Sequence, residues 1–137
     1  MFDKSDRSRF KYWFAHWCAY QLVALNLGAW KFKYLFHDIE KPFMLYWYMW
    51  VCRLNHTDAY KKVQKWHRAH NRHHLEYKGK KDYEAMVIDW ECSRFTKTSS
   101  PRTAREEAIL KNKNGKLIKE DSRGLYFALI KLGLNKK

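Results

Sequence analysis

The chain has 137 residues, with 28 Lys and Arg against 14 Asp and Glu, a formal charge of +14 at pH 7, and an aromatic content of 18%. So many Trp, Tyr and Phe side chains exclude a disordered basic tail, and the length fits one domain. Only 2 Pro and 5 Gly argue against a turn-rich β-sandwich, so the expected fold class is all-α, a single domain of about five to seven helices.

In chain order, Ser5 is placed to cap a helix in which Phe10, Trp13, Phe14, Trp17, Tyr20 and Val23 recur at steps of three and four, ending near Leu27-Gly28. Asp3, Lys4, Asp6 and Arg7 open the chain where a signal peptide would carry its apolar segment, so a cytoplasmic protein is expected. A second helical stretch covers Ala29 to Asp38. Pro42 biases Lys41 away from helical geometry, and a break is expected after His37-Asp38. Phe43 to Leu54 is apolar almost all round, which suits a helix buried in the domain or at a subunit interface, and residues 43–52 are a candidate contact for a homo-oligomer. That apolar run is half the roughly 20 residues a membrane span needs, so no membrane partner is expected.

Asp58 is placed to open the next helix, which carries Val63, Trp66, His67, His70 and His74 before the basic loop Lys78-Gly79-Lys80-Lys81. Asp82 caps a helix through Met86, Val87 and Trp90 to about Phe95, and Thr96 to Pro101 reads as a linker. Thr103 heads a helix over Ala104 to Lys111, Asn114-Gly115 is a turn signal, and Leu125, Leu129, Ile130 and Leu132 give the last helix an apolar face. Residues 1–95 are thus expected to form the helical core and 96–137 a basic hairpin packed on it, one domain overall. Cys18, Cys52 and Cys92 form neither a disulfide framework nor a Cys-x-x-Cys pair and are expected to be ordinary buried thiols.

Four of the 7 histidines fall within His67-Arg68-Ala69-His70-Asn71-Arg72-His73-His74. On a continuous helix, His67, His70 and His74 would share one face and His73 would point about 100° away from His74. Converging imidazoles suit zinc, iron, nickel or copper, and carboxylate partners shift the preference towards harder or redox-active ions. A basic helix that packs Trp66 and solvates its histidines is the alternative. His16 lies among Trp13, Phe14, Trp17 and Tyr20, where a hydrogen-bonded core histidine is the competing reading. His37-Asp38 can offer adjacent imidazole and carboxylate at a helix end. Asp89 sits between Ile88 and Trp90 on an apolar helix, and a buried carboxylate there needs a cation, a proton or a donor.

The order His16, His37-Asp38, His67, His73-His74, Asp89 resembles the HD-domain superfamily of metal-dependent phosphohydrolases. His37-Asp38-Ile39-Glu40-Lys41 is similar to the His-Asp-Ile-Gly-Lys of its cyclic-dinucleotide phosphodiesterase branch, and His73-His74-Leu75-Glu76-Tyr77 to that branch's His-His-Glu segment. Here Glu40 replaces Gly, the following Gly-Tyr-Pro is missing, and the His67 to His74 segment is compressed. A closer resemblance is to a family of small HD-like bacterial and phage proteins whose name carries no activity. It covers His37-Asp38-x-x-Lys41, Trp66-His67-x-x-His70-Asn71-x-His73-His74-x-Glu76-Tyr77, Met86-x-x-Asp89-Trp90, and Thr103-Ala104-Arg105-Glu106 with Asn112-Lys113. Arg72 stands where Pro is usual and Pro42 where an aromatic is usual. If phage-encoded, the protein would work in the cytoplasm of a bacterial host.

The resemblance implies one or two divalent ions, manganese, iron, zinc, nickel or cobalt. His16, His37, Asp38 and Asp89 would hold the first, and Asp38 would bridge to a second held by His67 and by His73 or His74. Two such ions can activate a water for attack on phosphorus. Asp38, Lys41 and Arg72 are the expected catalytic residues, with Arg68 and Lys78 as further cations near a substrate phosphate. The substrate would be a phosphorylated small molecule or nucleic acid. Two alternatives stay open: a di-iron oxygenase, since oxygenase branches of the superfamily use a similar ligand order, and a non-catalytic nucleic-acid-binding module. The latter would use Lys111, Lys113, Lys116, Lys119, Arg123, Lys131, Lys136 and Lys137 against phosphates.

Overall fold

In the computed structural model, residues 4–96 and 102–135 are described, with side chains from residue 11 onward. The fold is all-α: helices α1 (Lys4–Asn26), α2 (Glu40–Tyr46), α3 (His56–His70), α4 (Tyr83–Thr96), α5 (Ala104–Lys113) and α6 (Lys119–Lys131), with no strand among the described residues. Ser5 lies inside α1 instead of capping it. Residues 97–101, most of the expected linker, lie outside the described residues, as do the side chain of Phe10 and residues 136–137; Thr96 is the last residue of α4.

Helix α4 is the axis of the core. Its Ala85, Met86, Val87, Ile88 and Cys92 are buried, and α1 makes the most extensive contact with it through Tyr20 and Ala24. Leu125, Ala128 and Leu129 of α6 and Ala104 of α5 close the other side. Burying each large aliphatic here contributes about 1.5–3 kcal/mol. Gly28 ends the first hairpin turn at φ 67°, a left-handed conformation that glycine adopts without strain.

The expected helix over 29–38 is not formed. Only a 3-10 turn, Phe32–Phe36, is present, and Asp38 at φ 57° breaks the chain direction. Lys41 and Pro42 both belong to α2, contrary to the expected bias. Pro42 occupies the first turn, where its missing N–H is not required, and the Lys41 N–H donates to the Asp38 carbonyl at 3.1 Å.

A π-helical turn, Trp47–Val51, extends α2, and Cys52 N–H closes it on the Trp47 carbonyl at 3.3 Å. Both elements pack on α3, yet neither contains a buried residue; Phe43 is 72% and Trp50 60% exposed, so this stretch is not buried within the chain.

Asn55, and not Asp58, caps α3, its side chain accepting the Asp58 N–H at 2.8 Å; Asp58 instead sits in the first turn, where negative charge is favourable. The helix stops at His70. Asn71 takes an extended conformation, and the His67 carbonyl accepts both its backbone N–H, at 3.0 Å, and its side-chain Nδ2, at 2.9 Å. His73 and His74 therefore lie in a turn. The chain returns to α4 through the Asp82 N–H on the Arg72 carbonyl at 2.9 Å, and Asp82 caps α4 by accepting the Ala85 N–H at 3.1 Å. Thr103 and Glu106 form a reciprocal capping box on α5. No helix among the described residues is long and apolar enough to cross a membrane.

Candidate metal centre

Five elements deliver side chains to one place. His16 comes from α1, His37 and Asp38 from the bend after the 3-10 turn, His67 from α3, His73 and His74 from the turn beyond it, and Asp89 from α4. Early loss of the α3 helix is what allows this. Instead of pointing away, His73 turns inward and is buried, whereas His70 is exposed, donates from Nδ1 to the Trp66 carbonyl at 2.8 Å and stacks on the Trp66 ring.

The side chains form two adjoining groups, each able to hold a metal ion, and within each group one ligand atom per residue lies within 4.8 Å of the others. In the first, His16 Nε2 and His37 Nε2 approach Asp89 Oδ1 at 2.8 and 3.1 Å and each other at 3.4 Å, with Asp38 Oδ2 3.4 Å from His37 Nε2. In the second, His67 Nε2 and His73 Nε2 lie 3.3 Å apart with His74 beside them. Asp38 faces both. Its Oδ2 looks to the first group, while Oδ1 is 2.8 Å from His67 Nε2 and 3.3 Å from His73 Nε2. Its own backbone is held by Trp13 Nε1–H, which donates to the Asp38 carbonyl at 2.8 Å.

Burial opposes ionisation of both aspartates. Even so, His37, His67, His73 and Lys41 hold the Asp38 carboxyl well below its usual range, and His16 and His37 do the same for Asp89. Burial likewise disfavours charge on His16 and His67. It is outweighed by Asp89 at His16, and by Asp38 and Glu40 at His67, so both imidazoles titrate above the ordinary value. Burial wins at His37, which is lowered, and at His74, which burial and His73 push down to about 3.

The donor set fits a divalent cation on two further grounds. Asp38 Oδ1 and His74 Nε2 are buried with no hydrogen bond aligned on them; the short contact of Oδ1 with His67 lacks hydrogen-bond geometry. Such atoms are costly unless an ion or donor meets them. Imidazole nitrogens with carboxylate oxygens are also the ligand types of borderline and harder transition-metal ions.

Lys41 Nζ lies 3.3 Å from Asp38 Oδ2, at the edge of the first group. Arg72 precedes His73 in the turn and is exposed, as are Arg68 and Lys78. Several neighbours escaped the sequence reading. Glu40 accepts from His67 Nδ1, and Asn71 Nδ2 donates to the same Glu40 oxygen at 3.1 Å. The sequence showed Glu40 only as a replacement for Gly two residues after Asp38, and Asn71 only as a motif position four after His67, with no role for either. Tyr20 stacks on His37 with ring centroids 3.8 Å apart, which orients that ring. Cys92 is buried beside His16, its thiol pushed up by burial and the nearby acids, but Cys52 is exposed and Cys18 half-buried, so only Cys92 is the buried thiol expected.

Compared with protein-family models, with curated proteins and with solved structures, the chain matches none.

Proposed function

We propose that the protein is an HD-type metal-dependent phosphohydrolase, a phosphodiesterase or nucleotidase, acting on a nucleotide or nucleic-acid substrate. The observation that carries this reading is the placement of the buried Asp38 carboxylate between two groups of imidazoles, one oxygen towards each. His16, His37, Asp38 and Asp89 would hold one divalent ion, and His67, His73 and His74, with the other oxygen of Asp38, a second. Divalent ions supply Lewis acidity and an activated water to such a site.

The chain's own groups do the rest. Buried and held by Trp13 and Tyr20, the bend at His37-Asp38 presents its donors in a fixed geometry. Lys41, already within ion-pair distance of Asp38, is the cation best placed to meet a phosphate oxygen as substrate arrives. Arg72 is exposed on the turn that carries His73 and His74 and would contact the remainder of the substrate. A net charge of +14 draws any such anion to the surface before it docks.

The homo-oligomer belongs to the same proposal. Phe43, Tyr46, Trp47 and Trp50 recur at steps of three and four on an exposed face, in a run from 43 to 52 that carries no charge. Such aromatic, uncharged composition is that of interface cores, and two copies would meet there.

The test of the activity is a screen of phosphodiester and nucleotide substrates with the manganese-loaded protein. Turnover that disappears in Asp38→Ala is expected; turnover that persists in that variant contradicts the reading.

A further inference from the structure

We infer that Glu40, together with Asn71, is the positioning pair of the three-histidine group: it fixes His67 as the Nδ1–H tautomer and so presents Nε2 to a divalent transition-metal ion. This rests on the proposed metal-dependent function and adds to it a residue that neither the spacing of the histidines nor their ligand chemistry reveals.

His67 is fully buried, so no water can take the place of a missing partner. A neutral imidazole has one donor nitrogen and one acceptor, and an ionised carboxylate can only accept. Glu40 is such a carboxylate, with His67 Nδ1 and Asn71 Nδ2 both meeting its Oε1. In the neutral ring, with Glu40 on Nδ1, the proton resides there and the Nε2 lone pair is turned towards Asp38 Oδ1, 2.8 Å away, and His73 Nε2, 3.3 Å away. Three electron-rich atoms then face one another, an arrangement that a cation relieves.

Asn71 completes the device. Its Nδ2 donates its two hydrogens to Glu40 Oε1 at 3.1 Å and to the His67 carbonyl at 2.9 Å, which leaves none for His67 Nδ1 at 3.0 Å and ties the carboxylate to the last turn of α3. In the first group the described neighbour of His16 Nδ1 is the Cys92 sulfur at 3.7 Å and not a carboxylate. Glu40 therefore acts on one ion and not on the other. Outer partners of this kind typically contribute 10–100-fold to metal affinity.

Glu40→Gln is the informative change because it keeps the shape and reverses the chemistry. A glutamine amide can donate to Nδ1, which moves the ring proton to Nε2 and blocks the ligand atom. Metal-free wild type and Glu40→Gln are titrated with cobalt(II), following the visible spectrum and the stoichiometry. Wild type is expected to take up two equivalents, and the variant to keep one unchanged while binding the other 10–100 times more weakly. Nitrogen-15 spectra of the metal-free wild type, followed to the pH at which the ring signals cease to move and the ring is neutral, are expected to show the His67 proton on Nδ1, a readout that needs no variant. The role of Glu40 is overturned if that proton is on Nε2, if both equivalents weaken together, or if the variant titrates like wild type. A wild type that takes up no cobalt overturns the proposed function along with it.

Discussion

Protons and metal compete for the same nitrogens, and the direction of that competition follows from the residues around them. In the metal-free protein His16 and His67 titrate above the ordinary histidine value because Asp89, Asp38 and Glu40 outweigh the cost of burial. Both therefore carry protons to higher pH than a free histidine would, while His37 and His74, lowered by burial, are already neutral. An ion that takes the Nε2 atoms of His16 and His67 must displace those protons. Uptake near pH 7 should release protons, and apparent affinity should fall as pH falls. Titration calorimetry in buffers of different ionisation enthalpy reads this directly; uptake without proton release would contradict the assignment of His16 and His67 as ligands. Folding of the metal-free chain carries the matching signs. The His16 and His67 contribution is complete below about pH 6.5 and fades as pH rises through their raised values. That of Asp38 and Asp89 is present above about pH 3.9 and is lost as pH falls through their depressed values.

Helix α4 presents Asp89 only because α1 and α6 hold it from opposite sides, and the grip of α6 depends on a close approach. A Cβ on Gly124 would lie 2.3 Å from the Tyr83 ring, which cannot easily move because its hydroxyl donates to the buried Asp121 carboxylate at 2.8 Å, where Lys81 is also bound at 2.8 Å. Gly124→Ala should cost about 1–3 kcal/mol, measured by denaturant unfolding; a loss below about 0.5 kcal/mol would show that α6 shifts freely on α4.

At this same scale the limits of the sequence are visible. Helices α1, α4, α5 and α6 were legible because apolar spacing and caps such as Thr103 and Asp82 agree. The segments that build the site were not, since they depart from regular structure. Asp38 adopts a left-handed conformation, Pro42 enters a helix in its first turn, and Asn71 stops α3 by turning extended while its side chain stays on the His67 carbonyl. Those local choices depend on tertiary partners: Trp13 for Asp38, Glu40 for Asn71. The seven residues His16, His37, Asp38, His67, His73, His74 and Asp89 were recognisable by type and order. Helical periodicity, however, would have put His70 among them and turned His73 away.

For the whole molecule, the uncharged aromatic face of α2 and its π-helical turn is where the proposed contact between copies can be tested. Light scattering on the eluting protein should report a species larger than one chain, and Trp47→Lys with Trp50→Lys should return it to the monomer mass. A monomeric wild type would remove the contact. Because self-repulsion at +14 is screened by salt, association should strengthen as ionic strength rises.

Whether this basic helical molecule is built around metal is decided most directly by elemental analysis of protein purified without chelators and then equilibrated with manganese. The account predicts up to two divalent ions per chain in the wild type, with both lost in Asp38→Ala while helical circular dichroism is retained. A wild-type protein that is isolated without metal and takes up no manganese would contradict it, as would an Asp38→Ala variant with its full complement of ions.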